Sequence, residues 1–258
     1  MVTVRQLVLR AWAALLIVFM LAPIALVILF SFSSNALINF PLGDITLKWY
    51  VELYEWPAFA QALGNSMTIA GTVALISTAI GTMAALALAR IPGRYSGGAT
   101  LALCCPIMFP GLVIGIVLLS FYVSIGLELS LLTVILSHLV VTQPYVILVV
   151  YARMATFDYA MIESARDLGA TPVQAFLTVT LPIIRTALIG GALLATAYSV
   201  DDFIVTFFTI GGGNTLPTLV WGMIRTTLDP RVNAIATILI VVTVTSTVIA
   251  LKLSRYRG

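Results

Sequence analysis

Two adjacent carboxylates, Asp201 and Asp202, lie inside an apolar stretch of a chain that is 61% hydrophobic and only 9% charged. A carboxylate in such a setting is costly and turns toward a cavity or a partner. Neighbouring residues on a helix diverge by about 100°, so the two acids do not both face one ligand. One lines a path while the other holds structure, and a cationic solute finds favourable charge at the first. The alternative is a structural pairing with Arg225, Arg231 or a neighbouring subunit. Tyr198, Phe203, Phe207 and Phe208 surround the pair with aromatic surface suited to a gate or to cation–π contact. Packing, or a belt at the membrane interface, is the alternative for these rings. The path candidates are therefore Asp201, Asp202, Tyr198 and Phe203.

The other reactive residue types form no constellation. His138 is the single histidine and sits in the middle of an apolar run. It makes neither a metal site nor a triad, and reads as packing or as a hydrogen bond between helices. Cys104 and Cys105 are adjacent within an apolar run and read as small apolar packing residues, with no disulfide framework. Gly211-Gly212-Gly213 lacks the lysine of a phosphate loop, and no GxxxxGK[ST] occurs. No catalytic residue, metal site or cofactor site is expected, and the net charge of +3 implies no nucleic-acid partner.

The elements that position these residues are membrane spans. Mean hydropathy is +1.12, far from a soluble domain, which is typically about one quarter charged. Six stretches reach the roughly 17–25 apolar residues of a span: 11–32, 66–89, 101–122, 130–151, 184–208 and 233–253. The first is longer than the roughly 7–15 residues of a signal-peptide core, so it reads as a retained span. With the N-terminus in the cytoplasm, the inner segments hold Arg5, Arg10, Arg90, Arg94, Arg153, Arg166, Arg185, Lys252, Arg255 and Arg257. The outer segments hold only Lys48, Arg225 and Arg231. That bias places both termini in the cytoplasm. Glu52 and Glu55, with Trp49, Tyr50 and Trp56, read as an amphipathic interfacial segment of the first outer loop, with a role in receiving a binding protein as the further option. The expectation is an all-α polytopic protein with one transmembrane domain over residues 1–258, surrounded by lipid.

The inner loop from about 153 to 185 departs from this apolar plan. Asp158 is a plausible N-cap, and Met161, Ile162, Ala165 and Leu168 form one stripe that leaves Glu163, Arg166 and Asp167 aside. Gly169 stands where a glycine stops a helix. Thr171-Pro172-Val173-Gln174 then supplies a capping hydroxyl, a proline at the first helical position and a reciprocal glutamine. Pro182 marks the end of this second helix or a bend into the fifth span. The loop reads as helix, glycine turn, helix, suited either to the membrane surface or to a groove on a soluble partner.

Glu163-Ser164-Ala165, then Gly169, then Leu181-Pro182 resembles the EAA loop of ABC-importer permease subunits, with Ser164 in place of the usual alanine. The six-span layout with this loop before the fifth span fits as well, so the resemblance covers nearly the whole chain. It implies the type I importer permease (MetI-like) fold in a bacterial inner membrane. It further implies that Glu163, Ser164, Ala165, Asp167, Gly169, Leu181 and Pro182 couple the chain to an ATPase. The implied partners are two ATP-binding subunits, which hold ATP and Mg, a second and different permease subunit, and an extracytoplasmic solute-binding protein.

The stretch 198–240 resembles the corresponding region of spermidine/putrescine-type permeases. The residues that carry the likeness are Asp201-Asp202, Gly211 to Gly213, Thr215-Leu216-Pro217, Asn233-Ala234 and Ala236-Thr237. It implies a polyamine as solute, and a permease for another small solute is the alternative: an amino-acid-like compound, a metal or an anion. A self-sufficient carrier or channel leaves the docking loop unexplained. An intramembrane enzyme lacks its constellation of reactive side chains.

Overall fold

The computed structural model describes residues 4–35, 40–226 and 229–255. Among these no strand forms beyond an isolated bridge between Ser33 and Ile45. The helices are α1 (Val4–Ser31), α2 (Lys48–Tyr54), α3 (Pro57–Leu88), α4 (Gly93–Cys104), α5 (Gly111–Ser124) and α6 (Leu131–Met154). They are followed by α7 (Ala160–Asp167), α8 (Pro172–Ala175), α9 (Leu181–Asp201), α10 (Ile204–Thr209), α11 (Leu216–Thr226) and α12 (Arg231–Arg255). Backbone contacts group the chain into two compact units, 61–218 and the pair of segments 1–60 with 219–258.

Among the described residues four helical segments are long and apolar enough to cross a membrane: Arg5–Ser31, Pro57–Leu88, Leu131–Met154 and Pro172–Asp201. Two of the six expected spans are not single helices of spanning length. The third is a pair, α4 with a following 3₁₀ turn, then α5, bent by 94°. Phe109 is extended (φ −98°, ψ 142°) because Pro110 follows it, and Pro110 starts α5. The fifth stops at Asp202, which is also extended (φ −68°, ψ 115°), and resumes as the six-residue α10. The sixth coincides with α12, a helix of 25 residues whose described side chains run to Thr245. Arg257 lies outside the described residues.

In the 61–218 unit α6 is the central helix, packed on α9, α10 and α4. Without a hydrophobic contrast to lipid, such helices associate through small residues and interhelical hydrogen bonds. Both devices are present. A Cβ on Gly81 of α3 would lie 2.7 Å from Val146 Cγ1 on α6, and one on Gly191 of α9 would lie 3.3 Å from the same atom. Ser77 and Thr142 hydroxyls meet at 2.6 Å, Tyr122 and Ser137 at 3.0 Å, and Thr133 donates to the Thr209 carbonyl at 2.7 Å. Below these, Ala85, Val146, Val150, Met154, Phe157 and Ile184 form a buried apolar cluster.

In the other unit α12 packs on α1 and α2. Leu15 to Met20 of α1 are all exposed, as expected for a helix that is apolar all round and faces lipid. The expected interfacial segment forms α2, with Val51, Tyr54 and Glu55 exposed and Trp49 and Leu53 buried. Trp49 is buried and donates its Nε1–H to the Ser33 carbonyl at 2.7 Å, and the Tyr50 hydroxyl bonds Ser31 at 2.7 Å. The Trp49 N–H thus satisfies a backbone carbonyl in the bend after α1.

Candidate functional site

The loop after α6 folds from local chemistry. Asp158 Oδ1 accepts the Ala160 backbone N–H at 3.0 Å and opens α7. Gly169, at φ +91°, closes it. The Gly169 N–H donates to the Arg166 carbonyl at 2.9 Å and the Ala170 N–H to the Ala165 carbonyl at 3.1 Å. This pair of bonds is the Schellman stop, which needs a left-handed residue at that position. Two residues later the capping box forms as expected. The Gln174 N–H donates to Thr171 Oγ1 at 3.3 Å, and the Thr171 N–H to Gln174 Oε1 at 2.9 Å. The second helix does not end at Pro182. It runs through a π turn, Phe176–Thr180, into α9. Proline has no N–H for the bond four residues back, and the wider turn just before it absorbs that loss.

The apolar stripe of α7 divides. Ile162 and Ala165 are half-buried, Ile162 against the apolar cluster, whereas Met161 is exposed and Leu168 is 90% exposed. Two turns are too short to keep four residues on one buried face when the Gly169 stop turns Leu168 outward. Glu163, Ser164, Arg166 and Asp167 are exposed, and no salt bridge among the described residues involves them. Glu163, Arg166, Asp167, Gly169, Ala170, Thr171 and Pro172 line an open depression of ≈ 490 Å³. Leu181 is half-buried and Pro182 exposed at the start of α9. Helix α7 packs on both α8 and the π turn.

The second site is the break between α9 and α10. Asp201, the last residue of α9, is exposed. The Asp202 side chain is only 7% exposed. Its Oδ2 accepts the Thr206 backbone N–H at 2.9 Å and lies 3.3 Å from His138 Nε2. The same imidazole reaches Thr206 Oγ1 through Nε2 and Ser199 Oγ through Nδ1, both at 2.8 Å. Arg231 pairs with Asp229 and stacks over the Trp56 ring at 4.5 Å. Tyr198 is half-buried, its ring 5.4 Å from that of Tyr145 on α6. Phe203 is half-buried and its ring lies 5.5 Å from that of Phe207.

Sequence reasoning missed the Asp202–His138 pair and Tyr145. The signal for the first was available: two ionisable residues in consecutive apolar spans are expected to seek each other. Nothing in the sequence marked Tyr145. Among the described residues no group of three or more histidine, cysteine or acidic side chains is placed to hold a metal ion.

Comparison with known proteins follows this geometry. Residues 77–256 match the model of the binding-protein-dependent transport system inner membrane component family. The chain is 36% identical over 231 residues to the putrescine transport system permease protein PotI of Escherichia coli K12, covering 86% of this chain and 82% of that one. It is 32% identical over 235 residues to the spermidine/putrescine transport system permease protein PotC of the same organism, covering 90% and 88%. Among solved structures, a bacterial alginate ABC transporter in complex with alginate pentasaccharide-bound periplasmic protein aligns with a TM-score of 0.74 at 17% identity, covering 98% of this chain and 95% of that one. An inward-facing MetNI methionine ABC transporter aligns at 0.64 and 17%, covering 78% and 96%.

Proposed function

The chain belongs to the family of binding-protein-dependent transport system inner membrane components, and from that premise we propose that it forms one half of the path of an ATP-driven polyamine importer. It is a permease subunit of the ABC type and a membrane protein. The whole chain, 1–258, acts as one permease domain beside a second, different permease. Two ATP-binding subunits dock on the loop side and hold ATP and Mg, and a solute-binding protein delivers the solute from the opposite side. Both termini and the 153–185 loop face the cytoplasm.

One observation carries the coupling role. Helix α7 is fixed at both ends by hydrogen bonds and presents Glu163, Arg166 and Asp167, in no salt bridge among the described residues, around an open depression. A short rigid helix with exposed charge and an exposed Leu168 fits a groove on a soluble subunit. Glu163, Ser164, Ala165, Asp167 and Gly169 supply that surface, and Leu181-Pro182 sets the start of the span it moves. Rocking of α7 then tilts α9, because the two are joined through α8 and the π turn.

The polyamine reading comes from the relatives and agrees with the break at Asp202. Asp201 is the exposed carboxylate, with Tyr198 one turn away on the same face of α9. A carboxylate beside aromatic rings suits an alkylammonium. Phe203 lies at the break itself, and Asp202 is held by the protein. The test is uptake of radiolabelled putrescine by cells lacking this chain, with and without a plasmid copy. Restored putrescine uptake, with amino-acid uptake unchanged, is expected. Uptake restored only for an amino acid, a metal ion or an anion would overturn the solute assignment and leave the family standing.

A further inference from the structure

His138 touches both sides of the break in the fifth span. Its Nδ1 meets Ser199 in the last turn of α9, and its Nε2 meets Thr206 in α10. The ring is 1% exposed and stands on α6, the central helix of its unit. The hydrogen bonds assign its donors. Thr206 Oγ1 has a single proton, which Asp202 takes at 3.0 Å through its carbonyl or 3.1 Å through Oδ2. Thr206 is then free to accept, so Nε2 carries the ring proton and Nδ1 accepts from the Ser199 hydroxyl. Both ring nitrogens, the Thr206 and Ser199 hydroxyls and Asp202 Oδ2 are paired in that arrangement, as burial requires. Thr142 Oγ1 donates to the His138 carbonyl at 2.7 Å and meets Ser77, which anchors this turn of α6 in turn to α3.

We propose that His138 is a positioning residue for solute passage. It staples α6 across the break, commits Asp202 to the protein, and so sets the direction in which Asp201 leaves the end of α9. The proposal rests on the reading of Asp201 as the carboxylate that meets the solute.

His138→Asn keeps a polar group where Nδ1 stands, toward Ser199, and loses the reach to Thr206 and Asp202. His138→Gln keeps the group where Nε2 stands. In the assembled transporter, with putrescine as probe, His138→Asn is expected to raise KM for uptake about tenfold with Vmax within about twofold, and His138→Gln to recover KM to within about threefold, the scale of one buried hydrogen bond to a charged group. A residue that acts through Asp201 also shows coupling in a double-mutant cycle, so His138→Asn adds less than about twofold to KM in an Asp201→Asn background. Subunit retention on purification is followed for each variant. Wild-type KM in His138→Asn, an additive effect on KM, or loss of assembly in both His138 variants would overturn the proposal. If Asp201→Asn alone leaves KM unchanged, the Asp201 reading itself fails, an outcome separate from these three.

Discussion

Replacing Gly169 by alanine separates backbone conformation from steric contact at the point where α7 stops. A Cβ added there meets no atom within 4 Å, so nothing is pushed aside. The whole effect is the backbone: φ is +91°, a conformation that L side chains rarely adopt. The penalty for a non-glycine residue in left-handed space is roughly 1–2 kcal/mol, which lowers the population of the stopped conformer by about 5–30-fold relative to alternatives. Losing the stop removes the Ala170 to Ala165 and Gly169 to Arg166 hydrogen bonds and lets α7 run on toward Thr171. The helix would then meet its ATP-binding subunit in the wrong register. The assay is simultaneous ATP hydrolysis and solute uptake in proteoliposomes. Gly169→Ala should lower solute moved per ATP several-fold while the chain stays inserted, and Gly169→Val should lower it further. Gly98→Ala is the control, because Gly98 lies within α4 at an ordinary φ with open space around its Cβ position. Wild-type coupling in both Gly169 variants would refute the account of this turn.

Asp201→Asn should raise KM for a cationic solute without loss of assembly, whereas Asp202→Asn should lower the amount of chain that survives detergent extraction, because it removes the negative charge that faces His138 and the Thr206 N–H and puts an amide donor in place of one carboxylate oxygen. Equal behaviour of the two variants would contradict the division of roles. Gly211→Ala should destabilise by roughly 2–4 kcal/mol, since its φ is +70° and a Cβ would lie 2.5 Å from the Leu129 carbonyl oxygen; thermal unfolding of the purified chain measures this. Burial alone would raise the Asp229 pKa, but hydrogen bonds and charge from Arg231 reverse that and hold it below its ordinary value. The pair therefore stabilises the fold above the ordinary carboxylate range, and this contribution is lost as pH falls through the lowered value. Melting temperature against pH should show that acid-side loss in the natural chain and not in Asp229→Asn.

What could be read from the sequence was what is local. The Asp158 cap, the Gly169 stop and the Thr171–Gln174 box each depend on residues a few positions apart, and each formed where its pattern stood. The apolar stretches found the helices because length and composition suffice for that. Pro106, Pro110 and Gly111 marked the third span, and Asp201-Asp202 the fifth, as places where a helix either kinks or breaks, and which of the two occurs depends on neighbours that supply hydrogen bonds to the freed backbone. His138 reads from the sequence as packing or as a helix–helix hydrogen bond; it makes two such bonds, but its partners Ser199 and Thr206 lie more than sixty positions away. Only packing could name them. The stripe on α7 failed for the opposite reason: the helix ends after two turns, before periodicity can decide which residues are covered.

The central claim is that this chain moves a polyamine only when a separate subunit hydrolyses ATP. The direct measurement is putrescine uptake into proteoliposomes that hold this chain with the proposed second permease, ATP-binding and solute-binding proteins. ATP is present on the loop side, and an imposed proton or sodium gradient is the comparison. The account predicts uptake that requires ATP and the solute-binding protein and ignores either gradient. Uptake by this chain alone, driven by a gradient without ATP, would contradict it.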